Sequence, residues 1–145
     1  MFAQTNIFLM LGAVGSFVAA SLHIGIIIGG PAWYRFFGAG EAYAQAAARG
    51  ELEPAIVTAG IATVLFIWGL YALKGAGALP ALPLPFLRFC LSAITAVFVL
   101  RGLVLIPSIF GVFGANSWFW IWSSLICLSI GVLYAVGLWQ RWRDL

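Results

Sequence analysis

Arg101 is the residue whose type and setting most invite chemistry. It lies inside Val97-Phe-Val-Leu-Arg-Gly-Leu-Val-Leu-Ile106, where every neighbour is apolar or glycine. A guanidinium is always charged and carries five N–H donors that suit a carboxylate, phosphate or carbonyl oxygen. Within a membrane such a cation costs at least about 2.5 kcal/mol on insertion scales, so it is expected to face the protein interior, a cavity or a partner. The plainer alternative is an Arg that snorkels to water or pairs with an acid for structural reasons. His23, the single histidine, offers proton transfer or a hydrogen bond to a ligand, or serves as a bonded packing residue. Glu53 is the expected counter-ion of Arg101. Thr58 and Ser124 supply hydroxyls at similar depth, and Tyr34, Arg35 and Glu41 lie in the segment above them.

Several chemistries are excluded by residue type and spacing. A lone histidine holds no metal without carboxylate or thiolate help, so no metal site is expected, and no cofactor either. Cys90 and Cys127 fall at different depths, too far apart for the ~7 Å Cα limit of a disulfide, and no CxxC pair occurs. Both cysteines are expected to be small buried hydrophobes. Phosphate-loop, zinc-protease and GxSxG patterns are absent. The net charge of +3 comes from scattered cations that form no phosphate-tracking stripe, so nucleic acid is not an expected partner.

These residues need elements to position them, and composition says which. Hydrophobic residues make up 64% of the chain and charged residues 8%, too few to clothe a water-soluble domain of 145 residues. A membrane-spanning helix needs roughly 20 mainly apolar residues. Four stretches qualify, at about Asn6–Gly29, Pro54–Lys74, Phe86–Ser108 and Ser117–Trp139. The expectation is an all-α, integral membrane four-helix bundle forming a single transmembrane domain over residues 1–145. The runs are too long for barrel strands, which alternate over about 10 residues. The first is expected to be a retained helix rather than a signal peptide, since no Lys or Arg precedes its long apolar core.

Orientation follows from the cations. With four spans, Lys74, Arg88, Arg141 and Arg143 share the side of both termini, whereas Arg35 and Arg49 lie opposite with Glu41, Glu51 and Glu53. The positive-inside rule then favours both termini in the cytoplasm. Counting from Arg88 places Arg101 roughly 20 Å from the inner edge, and counting along the first span places His23 roughly 25 Å from it. Trp118, Trp120, Trp122, Trp139 and Trp142 are read as interfacial anchors, Trp120 and Trp139 being roughly 28 Å apart along a helix.

Between the first two spans, Pro31-Ala-Trp-Tyr-Arg-Phe-Phe-Gly38 is aromatic enough to lie in the interface. Glu41–Ala48 is a strong helix former closed by Arg49 and Gly50, which predicts a short amphipathic helix capping the bundle outside. Lys74-Gly75 is expected to terminate the second span, and Pro85 to open the third after an extended apolar linker. Gly12, Ser16, Ala19, Ala20 and His23 form a small-residue seam on the first span. From sequence the seam fits a helix of the same chain or a second copy, which would give a homo-oligomer.

Five stretches, Tyr34-Arg-Phe-Phe-Gly-Ala-Gly-Glu41, Thr58-Ala-Gly-Ile61, Gly69-Leu-Tyr-Ala-Leu-Lys-Gly-Ala-Gly77, Leu100-Arg-Gly-Leu103 and Trp122-Ser-Ser-Leu-Ile-Cys-Leu128, together resemble a group of small, uncharacterised bacterial membrane proteins. The resemblance covers most of the chain and implies a bacterial inner membrane, without an activity. The length and Glu51-Leu-Glu-Pro54 with Arg101 are also loosely similar to the membrane-associated eicosanoid and glutathione metabolism family. That resemblance implies glutathione bound where the second helix begins and along the third. The family's Arg/Asn/Glu motif is missing here, the only asparagines being Asn6 and Asn116, and the charge-derived orientation puts the site on the opposite face. Small multidrug exporters share the four-helix size, but their acid in the first helix has no counterpart.

The sequence thus points to a membrane protein surrounded by lipids that binds, with transport as an extension, a lipid or small amphipathic ligand in an outward-facing pocket. Arg101 would clamp its anionic or carbonyl group. A membrane-embedded transferase or isomerase using His23 or Glu53 as acid or base is one alternative, and a structural or accessory subunit is another.

Overall fold

The computed structural model describes residues 5–113 and 117–145. The helices run α1 (Ile7–Gly29), α2 (Pro31–Phe36), α3 (Glu41–Ala48), α4 (Glu53–Gly75), α5 (Leu87–Leu103), α6 (Leu105–Ile109) and α7 (Ser117–Arg141). Among the described residues four elements are long and apolar enough to cross a membrane: α1, α4, α5 continued by α6, and α7. The chain is therefore an all-α, polytopic integral membrane protein. Large apolar side chains such as Val14, Phe66, Leu100 and Ile126 face outward, as they must where the surrounding solvent is hydrocarbon.

Antiparallel α1 and α4 form one tightly packed pair, and α5 with α7 forms the other. Contact between α1 and α7 joins the pairs, and α4 against α5 closes the ring. One end of the bundle, here the terminal end, carries the linker between α4 and α5 together with the start of α1 and the finish of α7. The opposite loop end carries α2 and α3. There the fully packed Tyr34 and Ala44 sit on Ile26 of α1, so two short helices, not one, cap this end.

Two devices hold the spans together. Small residues allow close backbone approach: a Cβ at Gly102 of α5 would lie 2.7 Å from Leu128 Cα of α7, and one at Gly131 would lie 3.0 Å from Val99 N. Buried polar groups supply the second device. Tyr134 of α7 is wholly buried, and its hydroxyl donates to the Trp68 carbonyl of α4 at 3.0 Å while accepting from Ser16 of α1 at 2.8 Å. The Phe98 ring of α5 lies 5.6 Å from that of Tyr134, so this one residue touches all three other spans. At the terminal end Asn6 caps α1 by accepting from Leu9 N at 2.9 Å. Its backbone N–H reaches the Ala76 carbonyl at 2.9 Å, and its side chain donates to Gln140 at 2.7 Å.

Local chemistry explains where the structure departs from the sequence expectations. The third span is not continuous, because Val104 separates α5 from α6. Pro107 lacks an N–H for the Leu103 carbonyl and its ring crowds that group, so it fits only the first turn of a new helix. That span also starts at Leu87 rather than Pro85, after Phe86 in the left-handed region at φ 51°. At the end of α4 the terminating glycine is Gly77, not Gly75. Gly77 takes φ 83°, its N–H bonds the Lys74 carbonyl and Ala78 N–H bonds that of Leu73, a Schellman closure. Gly75 instead stays helical and buried, with Leu91 and Leu9 against it. The small-residue seam of α1 packs within its own chain, Gly12 lying under the Tyr134 ring and Ser16 bonding its hydroxyl.

Candidate functional site

Arg101 stands on the last turns of α5, three residues before the break at Val104. Close packing of Gly102 on Leu128 turns this part of α5 toward α7, and the guanidinium meets that helix. One terminal nitrogen donates to Ser124 Oγ at 3.0 Å and the other to Ser123 Oγ at 2.9 Å. Ser123 can accept because its own proton goes to the Trp120 carbonyl at 3.3 Å. The Trp120 ring completes the cradle, its centroid 5.0 Å from Arg101 Cζ, and Phe113 stacks on that ring at 4.7 Å. Trp120, Ser123 and Ser124 share one face of α7 by their spacing of three and four residues.

The counter-ion role expected of Glu53 is not what the geometry shows. Glu53 opens α4 at the loop end and is exposed, whereas Arg101 is turned toward α7. Arg101 makes no ion pair with a carboxylate among the described residues; the pairs present are Arg35–Glu41, Arg49–Glu51 and Arg141–Asp144. Neutral hydroxyls and an indole thus hold the cation in a half-buried position. Two of its five N–H groups are used in this way, and three make no bond among the described residues.

The other candidates form separate groups. Thr58 is buried, with Oγ1 2.7 Å from the Pro54 carbonyl and 3.3 Å from the Tyr34 hydroxyl. A threonine has one proton and a carbonyl only accepts, so Thr58 bonds Pro54 and its oxygen is left to receive the Tyr34 hydroxyl. This pair pins α2 onto α4. His23 is half-buried on α1, and its Nδ1 must carry a proton because it lies 2.7 Å from the Ala19 carbonyl. That leaves Nε2 uncommitted. No hydrogen bond or ion pair joins His23, Thr58 or Glu53 to Arg101 among the described residues.

Arg35 and Glu41 are exposed and bind each other in a two-point pair, both contacts at 2.8 Å. The pair clasps α2 to α3. The Arg35 guanidinium holds the Glu41 carboxyl below the usual carboxylate range, and Glu41 raises Arg35 in turn. With the folded value depressed, this contribution is complete above the ordinary glutamate range and is lost as pH falls through the Glu41 value. Acidification should therefore erase the protected Arg35 Nε–H signal in an NMR titration, whereas Glu41→Gln should lack that transition; a signal indifferent to pH would refute the clasp.

Surface grooves lie away from Arg101. An apolar one of about 450 Å³ runs along α1 between Val14, Phe17 and Trp33. Another, of about 770 Å³, lies at the terminal end around Lys74 and Arg88. Among the described residues no three His, Cys, Asp or Glu side chains gather where they could hold a metal. Cys90 and Cys127 are free thiols. Sequence reasoning missed Trp120 as a partner of Arg101, since a tryptophan near a span's start reads as an interfacial anchor. The signal available was its place three and four residues before two adjacent serines.

No family model, no curated protein and no solved structure matches this chain. The resemblances carried by short stretches therefore assign no family. What stands is the coarser statement, an all-α bundle of four membrane-spanning helices.

Proposed function

We propose that this four-span protein binds the anionic or carbonyl head of a lipid or small amphipathic molecule at Arg101, with the apolar remainder in the surrounding hydrocarbon. The observation that carries the reading is a fixed cation with three N–H groups unused among the described residues, set in an apolar span and accompanied only by neutral partners. Leaving such donors unpaired in a medium without water is costly, and an acidic oxygen satisfies charge and hydrogen bonds together. Ser123, Ser124 and Trp120 pre-orient the guanidinium, which lowers the cost of ordering it on binding. In this reading exposed Glu53, Arg35 and Glu41, with half-buried His23, form the polar loop end from which a headgroup approaches, and the buried Thr58–Tyr34 pair supports it from beneath. In the same reading that end is the outer one in a bacterial inner membrane and both termini are cytoplasmic, which the larger number of cations at the terminal end supports.

Native mass spectrometry of the gently purified protein tests this directly. The expected result is one non-bulk lipid or metabolite at fixed stoichiometry, lost or weakened at least about tenfold in Arg101→Gln, since hydrogen bonds to a charged group contribute roughly 1.5–3 kcal/mol. Equal retention by the variant would reject the site.

A second reading, a membrane-embedded transferase or isomerase, draws on the uncommitted Nε2 of His23, whose Nδ1–H is fixed by Ala19. If the molecule recovered with the protein is turned over, His23→Gln should abolish turnover while binding persists; unchanged turnover would dismiss His23 as the base. An accessory role founded on the α1 seam has less support, because Gly12 and Ser16 are already occupied by Tyr134.

A further inference from the structure

The groove at the terminal end is a different kind of place from the Arg101 cradle. Its floor and walls come from the finish of α4, the linker, the start of α5 and the residues after α7. Two cations line it, Lys74 and Arg88. Lys74 Nζ donates to the Pro80 carbonyl at 3.1 Å, which steadies the ammonium and uses one of its three donors. Arg88 lies over the Trp142 ring, Cζ 5.0 Å from the centroid, a contact that orients the guanidinium without consuming an N–H group. Neither cation ion-pairs with a carboxylate among the described residues. Asp144, the acidic side chain at this end, pairs with Arg141 at 3.7 Å, and the three glutamates lie at the loop end. Ser92, one turn below Arg88, also lines the groove, but its hydroxyl proton goes to the Arg88 carbonyl at 2.8 Å, which leaves the two cations as the groove's charged side-chain donors.

The walls are as informative as the charges. Phe86 and Phe89 are 79% and 74% exposed beside these cations. Phe86 reaches its position through a left-handed backbone, at φ 51°, that bulky residues rarely adopt. The charged rim sits at the ends of two spans, with the apolar wall continuing down α5 into the hydrocarbon region. This is the profile of one class of molecule, with an anionic oxygen cluster at the interface and chains directed into the membrane. The first turn of α5, which no side chain caps, adds a partial positive charge on the same side.

We infer that the groove between Lys74, Arg88 and Trp142 binds the phosphate of an anionic phospholipid, whose chains lie along Phe86 and Phe89. Lys74 and Arg88 share the phosphate, and the phenylalanine faces take the acyl chains. The site is at the opposite end of the bundle from Arg101, so either proposal can fail without the other.

The test uses the full chain in micelles containing equimolar phosphatidylcholine and phosphatidylglycerol, with retained lipids counted by native mass spectrometry. The wild-type protein is expected to keep one phosphatidylglycerol in preference to phosphatidylcholine. Lys74→Gln with Arg88→Gln should lower that preference about thirtyfold, as expected for two cations beside an anionic lipid. Arg143→Gln, a cation outside the groove at the same end, should leave it intact. Melting in pure phosphatidylcholine micelles checks that the double variant is folded; if it is not, Arg88→Gln alone should still lower the preference about fivefold. Absence of preference in the wild type overturns the proposal, and so does equal loss in Arg143→Gln, which would reduce the effect to diffuse surface charge. Displacement of phosphatidylglycerol by inorganic phosphate would show a site for the free anion and overturn the assignment to a lipid.

Discussion

Gly102→Val should lower the stability of the bundle by at least about 2 kcal/mol, the upper part of the range for overpacked interiors. The obstacle is backbone. The added Cβ would meet Leu128 Cα at 2.7 Å and Leu128 N at 2.8 Å, and neither can rotate away. α5 and α7 must move apart, and Arg101, the adjacent residue, is carried away from Ser123 and Ser124. Ligand retention should therefore fall in this variant although Arg101 itself is unchanged. Gly60→Ala is the matched control, because a Cβ there meets nothing within 4 Å and alanine favours the helix. Melting of the three proteins in the same detergent decides the matter. Coincident curves for Gly102→Val and wild type would mean that α5 and α7 do not pack this closely.

Tyr134→Ala should be the most damaging truncation in the core, costing about 3–5 kcal/mol by analogy with other buried aromatic residues. The ring fills the space above Gly12 and against Phe98, and its hydroxyl joins Ser16 to the Trp68 carbonyl. Tyr134→Phe separates these contributions. Hydrogen bonds between membrane helices average only about 0.6 kcal/mol, so the phenylalanine variant should lose roughly 1 kcal/mol for the two bonds. A double-mutant cycle with Ser16→Ala gives their coupling. Were Tyr134→Phe to destabilise as much as Tyr134→Ala, the hydroxyl rather than the ring would be the chief tie.

The contrast between these two residues shows what the amino-acid sequence makes legible. The spans were readable because a membrane demands long apolar runs. α3 and its end at Gly50 were readable because helix closure is local chemistry. Arg101 stood out by charge alone. Facing was much less accessible. In lipid the outward surface is as apolar as the core, so Val14 and Ala13 carry little information about which of them is inside, although one is exposed and the other fully buried. Depth along a helix could be counted, which put Ser124 at the level of Arg101. Rotation about each axis and the order of helices around the ring could not, and they determine that Arg101 meets α7 while Glu53 does not. The break at Val104 was legible in Pro107, yet the hydropathy of the run concealed it. The Tyr134 tie depends on backbone approach permitted by Gly12, a property of two helices jointly.

The bonds from α7 to α1 also set an order of events during biosynthesis. Asn6 is tied to Gln140 across 134 residues, and Ser16 to Tyr134 across 118. At elongation rates of about 5–20 residues per second, the first span waits on the order of ten seconds for the segment that satisfies it. Until then α1 and α4 form a provisional hairpin whose Ser16 hydroxyl has no Tyr134 to meet. A nascent chain arrested before α7 would hold both spans of that hairpin yet lack the partners of Asn6 and Ser16, so the bundle's polar ties close only when its last helix is made.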